Sequence, residues 1–417
     1  MPVLERKLQI PQAERAPVLP ETGWQLLQQP ATLVLVHAPA GFGKTTLLAH
    51  WARQQLLDQN RPLAWLSLDR RDTRPRRFAR GLVAALRGLG PGTDAQWQNL
   101  LETTESDDPD LLLEAIEGQA EALTGPAVLI VDDLHLLADS PALEVLSLWL
   151  EELPADLTLV LGARHLPAGL PLARWRLQGK VLEIPPEALR WGEAELQAFF
   201  ADLALSPGQL IRIGQKSQGW ALACQLLRLQ LTQGVELETA IEQLGRHSLL
   251  EDYLQQEVLP FLPPEALEFL VQTSVLADLT PEACAALVPA GPALEGLARR
   301  LPFLTPLDRA RQWYVCHPLL RDWLQQQLLP DQRSRLHAAA ARHFLAVAAH
   351  EPALEHAQLS GQPEVLAEVL EALAQTLLGL GRIHTLQQAF EALPEAILRQ
   401  RPALAMFQIW IWLLVGE

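Results

Sequence analysis

Short apolar runs alternate with amphipathic segments over the first 186 residues. Continuous apolar runs are typical of strands buried on both faces of a sheet, and they occupy residues 32–37, 63–68, 127–133, 157–163 and 181–184. Helical periodicity fills the intervals, at residues 44–57, 78–89, 111–123 and 142–150. Because alternating strands and helices form right-handed βαβ units, this pattern predicts an α/β domain with a parallel five-stranded sheet.

Helical periodicity dominates after about residue 186, where the strand-like runs nearly stop. One exception is a pair of short apolar stretches around a polar turn at Asp308–Ala310, which predicts two small strands. Helices beside such a pair predict a winged-helix domain. From residue 331 the pattern is paired amphipathic helices, which predicts the start of a TPR-like helical superhelix, although no clean repeat of about 34 residues is visible.

The last segment, ALAMFQIWIWLLVGE, is very apolar. Its apolar run is shorter than the roughly 20 residues that a membrane span needs, so we expect a buried helix and no membrane anchor. Helical-repeat arrays end in polar capping repeats. The apolar end therefore predicts that the sequence is the front part of a longer protein. The alternative is that this helix packs back onto its own domain or onto a partner.

Composition narrows the classes of protein. Hydrophobic residues make up 49% and charged residues 20%, as in a folded protein. The net charge of −16 argues against nonspecific binding of nucleic acid along the whole chain, because a phosphate backbone would repel it. Three widely separated cysteines and the lack of a signal-peptide core favour a cytoplasmic protein with reduced thiols.

The segment HAPAGFGKTTLL, between the first strand and the first long helix, carries the clearest chemistry. It matches the phosphate-binding pattern G-x-x-x-x-G-K-[ST], except that alanine stands in place of the first glycine. A glycine-rich turn without a ligand is the alternative interpretation. The candidate nucleotide-binding residues are Ala38, Pro39, Ala40, Gly41, Phe42, Gly43, Lys44, Thr45 and Thr46.

These residue types suit a nucleoside triphosphate with Mg²⁺. Backbone N–H groups from Gly41 to Thr45 can surround the β-phosphate, since glycine permits close approach and the helix N-terminus favours an anion. Lys44 would reach the β- and γ-phosphates, and the Thr45 hydroxyl would ligate Mg²⁺. No Asn-Lys-x-Asp guanine-binding motif follows, so the sequence favours ATP or ADP over guanine nucleotides.

Two acids end the third apolar run, in AVLIVDDLHLL. Asp132 is the natural carboxylate ligand for Mg²⁺, and Asp133 is placed to polarise the attacking water as a general base. Acids also cap strands and helices in many proteins, so the assignment depends on the phosphate-binding loop upstream. Arg164 follows the fourth strand and could stabilise the γ-phosphate. Alternatively, it is a surface arginine paired with a carboxylate.

Three other features have a functional and a structural interpretation. Six arginines lie in RRDTRPRRFAR, at residues 70–80, and could bind phosphate or nucleic acid, but a solvated loop and helix start is favoured. His317, before a proline, is either structural or a nucleotide contact. Trp220 is expected to pack a helix onto the nucleotide-binding domain.

Ordered blocks along nearly the whole chain resemble the N-terminal half of MalT-like regulators. These are large LuxR-type transcriptional activators among the signal-transduction ATPases with numerous domains (STAND). The WLSLD and HPL portions are more diagnostic of this family than the phosphate-binding loop. The blocks are APAGFGKTTLLAHWA, AWLSLDRRDTRPRRFARGL, AVLIVDDLHLL, LTLVLGARHLP, GWALACQL, DYLQQEVLPFLPPEALEFLVQTSVL and WYVCHPLLRDWL.

The resemblance implies a regulatory switch. A closed ADP-bound monomer would open with ATP and a small-molecule inducer, would then self-associate, and slow hydrolysis would reset it. The inducer would bind the superhelix, and DNA would bind only a C-terminal helix-turn-helix outside this chain. Asp132 is carried over as the metal acid, Arg164 as the arginine after the fourth strand, and His317 as the winged-helix histidine near the ADP β-phosphate.

Two departures from the family pattern affect the nucleotide site. The segment that usually carries an arginine near the adenine is VLPETGWQLL here, so no adenine contact is assigned within residues 18–27. Ala163 precedes Arg164 where the family often has serine.

Together, pattern and resemblance predict the domain boundaries. An N-terminal segment at residues 1–30 leads into the nucleotide site, followed by a P-loop nucleotide-binding domain at 31–186, a small helical domain at 187–250, a winged-helix domain at 251–330 and the start of the superhelix at 331–417. Two alternatives to a regulatory ATPase remain: a stand-alone P-loop ATPase with its own substrate, and a nucleotide-binding scaffold without hydrolysis.

Overall fold

The computed structural model describes residues 3–12, 17–58, 61–90, 97, 101, 107–301, 303–379 and 382–415. The chain divides into two compact units, Met1–Glu242 and Gln243–Glu417. Among the described residues, no helix combines the length and apolarity needed to cross a lipid bilayer. The finer predicted boundaries at residues 30, 186, 250 and 330 stay predictions.

The first unit is built on a five-stranded sheet with the order β2-β3-β4-β1-β5. All four strand pairs are parallel, so the predicted sheet is confirmed. The central strands are buried on both faces because helices cover both sides, as their unbroken apolar sequences predict. The strands are β1 (Leu33–His37), β2 (Leu63–Ser67), β3 (Ala127–Asp132), β4 (Leu157–Ala163) and β5 (Val181–Ile184).

Helices flank this sheet and extend beyond it. One apolar core joins β3 and β4 to the buried faces of the helices that contain Phe78, Ile116 and Trp149. The helices are α1 (Val3–Lys7), α2 (Glu21–Leu27), α3 (Lys44–Asp58), α4 (Pro75–Arg87), α5 (Pro109–Glu121), α6 (Pro141–Glu151), α7 (Leu172–Leu177), α8 (Glu193–Phe199), α9 (Pro207–Ser217), α10 (Ala221–Thr232) and α11 (Leu237–Gln243).

The N-terminal helix α1 is tied to the loop after β2 by a buried charge pair. The Lys7 ammonium contacts the carboxylates of both Asp69 and Asp72, and Lys7 and Asp72 are almost fully buried. Asp72 also accepts a hydrogen bond from the Asp69 N–H group at 2.7 Å. Breaking such a pair leaves an uncompensated buried charge, so this contact holds the segment after β2 in place.

The second unit begins with helices around a small antiparallel sheet of order β6-β8-β7. The two predicted strands are present as β7 (Leu304–Pro306) and β8 (Tyr314–Cys316). The third strand, β6 (Asp278–Leu279), is too short to leave a periodic signal in the sequence. The helices are α12 (Ser248–Glu257), α13 (Pro264–Thr273), α14 (Pro281–Leu287), α15 (Leu294–Arg300) and α16 (Pro318–Gln326).

Paired helices form the rest of the second unit, as the sequence predicts. They share an apolar core centred on residues such as Leu354, Leu370 and Phe390. The helices are α17 (Pro330–Ala346), α18 (His350–Ser360), α19 (Pro363–Gly379), α20 (Ile383–Glu391), α21 (Glu395–Gln400) and α22 (Pro402–Val415).

The prediction that the last helix is buried is wrong for one of its sides. Leu404 and Ile411 of α22 are 0% and 2% exposed, and they pack into the core of the second unit. Ile409 and Trp410 are about half exposed, and Leu413 is 73% exposed. A helix that is apolar all round needs neighbours on every side, whereas the described residues cover α22 on one side only.

Two histidines meet in the interior between α17 and α18. The Nδ1 atoms of His337 and His356 lie 2.8 Å apart, so one ring donates a proton and the other accepts it. Both rings are buried. Burial is the main cause that lowers the pKa of each to about 4, and for His337 the neighbouring histidine lowers it further.

Acid should therefore destabilise the second unit. The unfolded chain takes up protons on these histidines near pH 6.5, and the folded chain does so only near pH 4. The stability they confer is complete above pH 6.5 and falls by about 3 kcal/mol per histidine as the pH drops to 4. Urea denaturation across this range should show the loss, and His337→Gln/His356→Gln should flatten it. His350→Gln, at the start of α18, is the control; equal pH dependence in all three proteins would contradict the assignment.

Candidate functional site

The turn between β1 and α3 has the geometry of a phosphate-binding loop. Gly41 and Gly43 adopt φ angles of +74° and +80°, a left-handed region that residues with a Cβ rarely enter. α3 begins directly afterwards, at Lys44. The loop therefore presents its backbone at the N-terminus of a long helix, where N–H groups and the helix dipole favour an anion.

Lys44 folds back over this loop. Its ammonium donates a hydrogen bond to the Pro39 carbonyl at 3.0 Å, and the residue is only 6% exposed. A buried lysine with a carbonyl partner keeps its positive charge inside the loop, available to phosphate oxygens that come within reach.

The strand order brings Thr45 and Asp132 together from positions 87 residues apart. The Thr45 hydroxyl donates a hydrogen bond to Asp132 Oδ2 at 2.6 Å, and Asp132 is 1% exposed. A hydroxyl and a carboxylate side by side supply the oxygen ligands that Mg²⁺ prefers. The residues present thus fit a magnesium ion at the helix N-terminus.

Gly162 makes room for the Asp132 carboxylate, and sequence reasoning missed it. It lies on β4, and a Cβ added there would come within 2.4 Å of Asp132 Oδ1. That oxygen also accepts a hydrogen bond from the Asp133 N–H group at 2.9 Å. The requirement for glycine becomes visible only when β3 and β4 are known to be neighbours.

Asp133 occupies a left-handed conformation, with φ of 63°, at the start of a 3₁₀ turn over Leu134–Leu137. Such a conformation is uncommon for a residue with a Cβ and often occurs at functional sites. Its side chain is 42% exposed, in contrast to Asp132. The second acid of the pair therefore faces solvent, where a water molecule could reach it.

His135 is a second residue that sequence reasoning missed. Its imidazole Nδ1 lies 3.9 Å from Asp133 Oδ1, and its side chain is 1% exposed. Neither ring nitrogen has a hydrogen-bond partner among the residues that the structure describes. Burial, together with the nearby charge of Arg164, lowers its pKa to about 3, so the ring is neutral at physiological pH. The histidine two residues after Asp133 was the available signal.

Arg164 lies at the same edge of the sheet, directly after β4. Burial and, after it, the charge of Arg164 lower the pKa of His165, whose ring packs edge-on against His135 at 5.9 Å between centroids. The structure thus brings Arg164 close to His135, which follows the two acids. Whether it contacts a γ-phosphate stays a prediction.

The arginine-rich segment at residues 70–80 lies on the loop and helix start after β2. Arg71 pairs with Asp69 at 2.8 Å, and Arg77 pairs with Asp72 at 3.2 Å. Ion pairs with local acids support the structural interpretation of these two arginines, which the sequence favoured.

His317 belongs to the second unit and caps α16. Its Nδ1 accepts a hydrogen bond from the Leu319 N–H group at 3.3 Å, and the residue is 4% exposed. Its own N–H group donates to the Phe303 carbonyl at 2.8 Å. These contacts give it a structural role within its unit, and a nucleotide contact stays a prediction.

Comparisons with known proteins fit this site. The family model described as "AAA domain" matches residues 27–166, and the model described as "MalT winged helix domain" matches residues 255–336. The HTH-type transcriptional regulator MalT of Yersinia enterocolitica is 31% identical over 391 residues, which is 91% of this chain and 43% of that protein. The MalT regulator of Yersinia pestis matches with the same identity and the same coverage. The chain is thus a homologue of MalT regulators over 91% of its length. It spans less than half the length of these MalT relatives.

Solved structures resemble the MalT-like chain more distantly. A STAND protein with a tetratricopeptide repeat sensor from Pyrococcus horikoshii has a TM-score of 0.35 at 14% identity, over 99% of this chain and 59% of that one. A Walker-type ATPase of Pyrococcus abyssi has a TM-score of 0.48 at 12% identity, over 73% of this chain and 95% of that one.

The family match at residues 255–336 includes β6, β7 and β8, so the winged-helix prediction is confirmed.

Gly162→Ala tests the packing around Asp132 in this MalT-like site. The added Cβ should push the carboxylate away from Thr45 and weaken magnesium binding, because β4 cannot retreat within the sheet. The gain in ATP affinity on addition of Mg²⁺ should be at least tenfold smaller in the variant than in the wild type. Isothermal titration with and without the metal measures this gain. Gly125→Ala, where a Cβ meets open space, is the control. An unchanged Mg²⁺ effect in Gly162→Ala would show that Asp132 is not the metal ligand.

Proposed function

We propose that this chain is the ATP-binding switch of a MalT-like transcriptional regulator, with slow ATP hydrolysis. The observation that carries the proposal is the 2.6 Å hydrogen bond between the Thr45 hydroxyl and Asp132, at the N-terminus of the helix after the phosphate-binding loop. A surface turn without a ligand does not need a hydroxyl, a buried carboxylate and a buried lysine at one place.

The loop would bind the phosphates of ATP or ADP through the N–H groups from Gly41 to Thr45. Lys44 would exchange the Pro39 carbonyl for β- and γ-phosphate oxygens, a small movement for a flexible side chain. Thr45 and Asp132 would hold Mg²⁺, which neutralises phosphate charge when bound. Adenine contacts are not assigned.

Hydrolysis would use the groups at the carboxyl edge of β3 and β4. Asp133, exposed and directly after the metal carboxylate, would accept the proton of the attacking water. The neutral His135 ring packs beside that carboxylate at 3.9 Å, which is beyond hydrogen-bond distance. Arg164 would stabilise charge on the γ-phosphate.

The regulatory part of the proposal rests on the similarity of this chain to MalT regulators. ADP would hold a closed monomer, with His317 near the β-phosphate, and ATP with a small-molecule inducer would favour an open, self-associating form. The inducer would bind the helical superhelix, of which residues 331–417 would be the start. DNA would be bound by a helix-turn-helix outside this chain. The protein would act in the cytoplasm.

Lys44→Ala tests nucleotide binding. We expect ADP or ATP to co-purify with the wild-type chain and to be absent from the variant, because the loop loses its buried positive charge. Chromatography of the nucleotide released by denaturation measures this directly. Lys180→Ala, at an exposed position before β5, should retain nucleotide. A wild-type chain that neither carries nor binds ATP with Mg²⁺ would overturn the proposal.

Asp133→Asn separates a slow ATPase from a scaffold that binds nucleotide without hydrolysis. Removal of the carboxylate base should lower single-turnover hydrolysis at least 100-fold, since general-base catalysis contributes about 10²–10⁴-fold. ATP affinity should stay within about twofold. Asp156→Asn, in the exposed turn before β4, serves as the control. Equal turnover in wild type and Asp133→Asn would remove Asp133 from the mechanism.

A further inference from the structure

The start of α10 donates two hydrogen bonds to carbonyl groups of the phosphate-binding loop. The Trp220 indole N–H group donates a hydrogen bond to the Ala40 carbonyl at 3.3 Å. The backbone N–H group of Leu222 donates one to the Gly41 carbonyl at 3.1 Å. Two consecutive carbonyls of the loop are therefore bound by two groups at one helix start, all within the first unit.

These contacts determine where the opposite side of each peptide points. A trans peptide is planar, and its C=O and N–H groups point in opposite directions. The carbonyl of Ala40 shares its peptide with the N–H group of Gly41, and the carbonyl of Gly41 shares its peptide with that of Phe42. Both N–H groups are among those expected to face the phosphates, so α10 orients phosphate donors by holding their carbonyls.

Side-chain packing makes this contact close and specific. Trp220 is 1% exposed, and its ring stacks on Phe42 at 6.2 Å between centroids. A Cβ added at Gly41 would lie 2.7 Å from the Leu222 Cβ and 2.9 Å from the Trp220 indole nitrogen. By contrast, a Cβ at Gly43 meets nothing within 4 Å. Gly41 is thus required by α10 as well as by its φ angle.

The segment before Trp220 is itself fixed. Gly219 has a φ angle of +71°, and its carbonyl accepts a hydrogen bond from the Trp191 N–H group at 2.9 Å. A Cβ at Gly219 would lie 2.4 Å from the Trp191 carbonyl oxygen. This closely packed turn sets the position from which the indole reaches the loop.

We propose that Trp220 and the Leu222 N–H group are positioning groups for the nucleotide, so that bound phosphate and docked α10 stabilise each other. The inference rests on the proposed nucleotide binding. A hydrogen bond on the carbonyl polarises its peptide and strengthens the N–H donor on the other side. By thermodynamic linkage, if docked α10 makes phosphate binding more favourable by some free energy, bound phosphate makes the docking of α10 more favourable by the same amount.

Trp220→Phe tests the first half of this coupling. Phenylalanine keeps a ring against Phe42 but lacks the indole N–H group. A neutral hydrogen bond contributes about 0.5–1.5 kcal/mol, so we expect the Kd for ADP to rise about 3- to 10-fold by isothermal titration. Trp149→Phe, which alters a fully buried indole on α6 of the same unit, is the matched control and should retain the wild-type Kd.

Hydrogen exchange tests the second half in the wild-type chain, so the inference does not depend on the folding of a variant. ADP should slow exchange of the Leu222 amide at least fivefold, and less in Trp220→Phe. A wild-type Kd for Trp220→Phe, or Leu222 exchange indifferent to ADP, would overturn the inference while leaving the proposed function intact. A wild-type chain that fails to bind ADP would overturn both.

Discussion

The contact between the Thr45 hydroxyl and Asp132 depends on parallel strand order more than on any local feature. β1 and β3 are separated by β4 in the sheet, yet their carboxyl ends meet at one edge. Thr45 enters this edge on the helix that follows β1, and Asp132 enters it as the last residue of β3. The buried sheet therefore supplies the rigidity that holds two oxygen groups 2.6 Å apart.

Glycines permit the close approaches that this edge needs. Gly162 leaves space for the carboxylate of Asp132, and Gly41 leaves space for the start of α10. In both cases the neighbour that would clash comes from a distant part of the chain. A loop that binds phosphate on one side and a helix on the other cannot tolerate a Cβ between them, so the nucleotide site and the helical segment around Trp220 form one packed arrangement.

The site also separates its two acids by environment. Asp132 is buried beside a hydroxyl, and Asp133 is exposed in a left-handed conformation. The neutral His135 is buried next to the exposed acid. A metal ligand needs a fixed position, whereas a base needs access to water. This difference in burial therefore suits the proposed roles of Asp132 as metal ligand and Asp133 as base. The second unit adds a winged helix, which the MalT winged-helix model matches, and paired helices with their own apolar core.

The sequence alone determined the parallel sheet and the paired helices through apolar spacing, and the phosphate-binding loop through its glycine and lysine spacing, because each depends on residues close together in the chain. It also identified Asp132 and Asp133, which end an apolar strand. It did not reveal Gly162, the burial of His135, the short strand β6 or the exposed side of α22. Tertiary structure decided these, since each depends on which distant residue lies opposite. The contact of Trp220 with Ala40 is of the same kind, because 180 residues separate a donor and an acceptor that only the folded chain brings together.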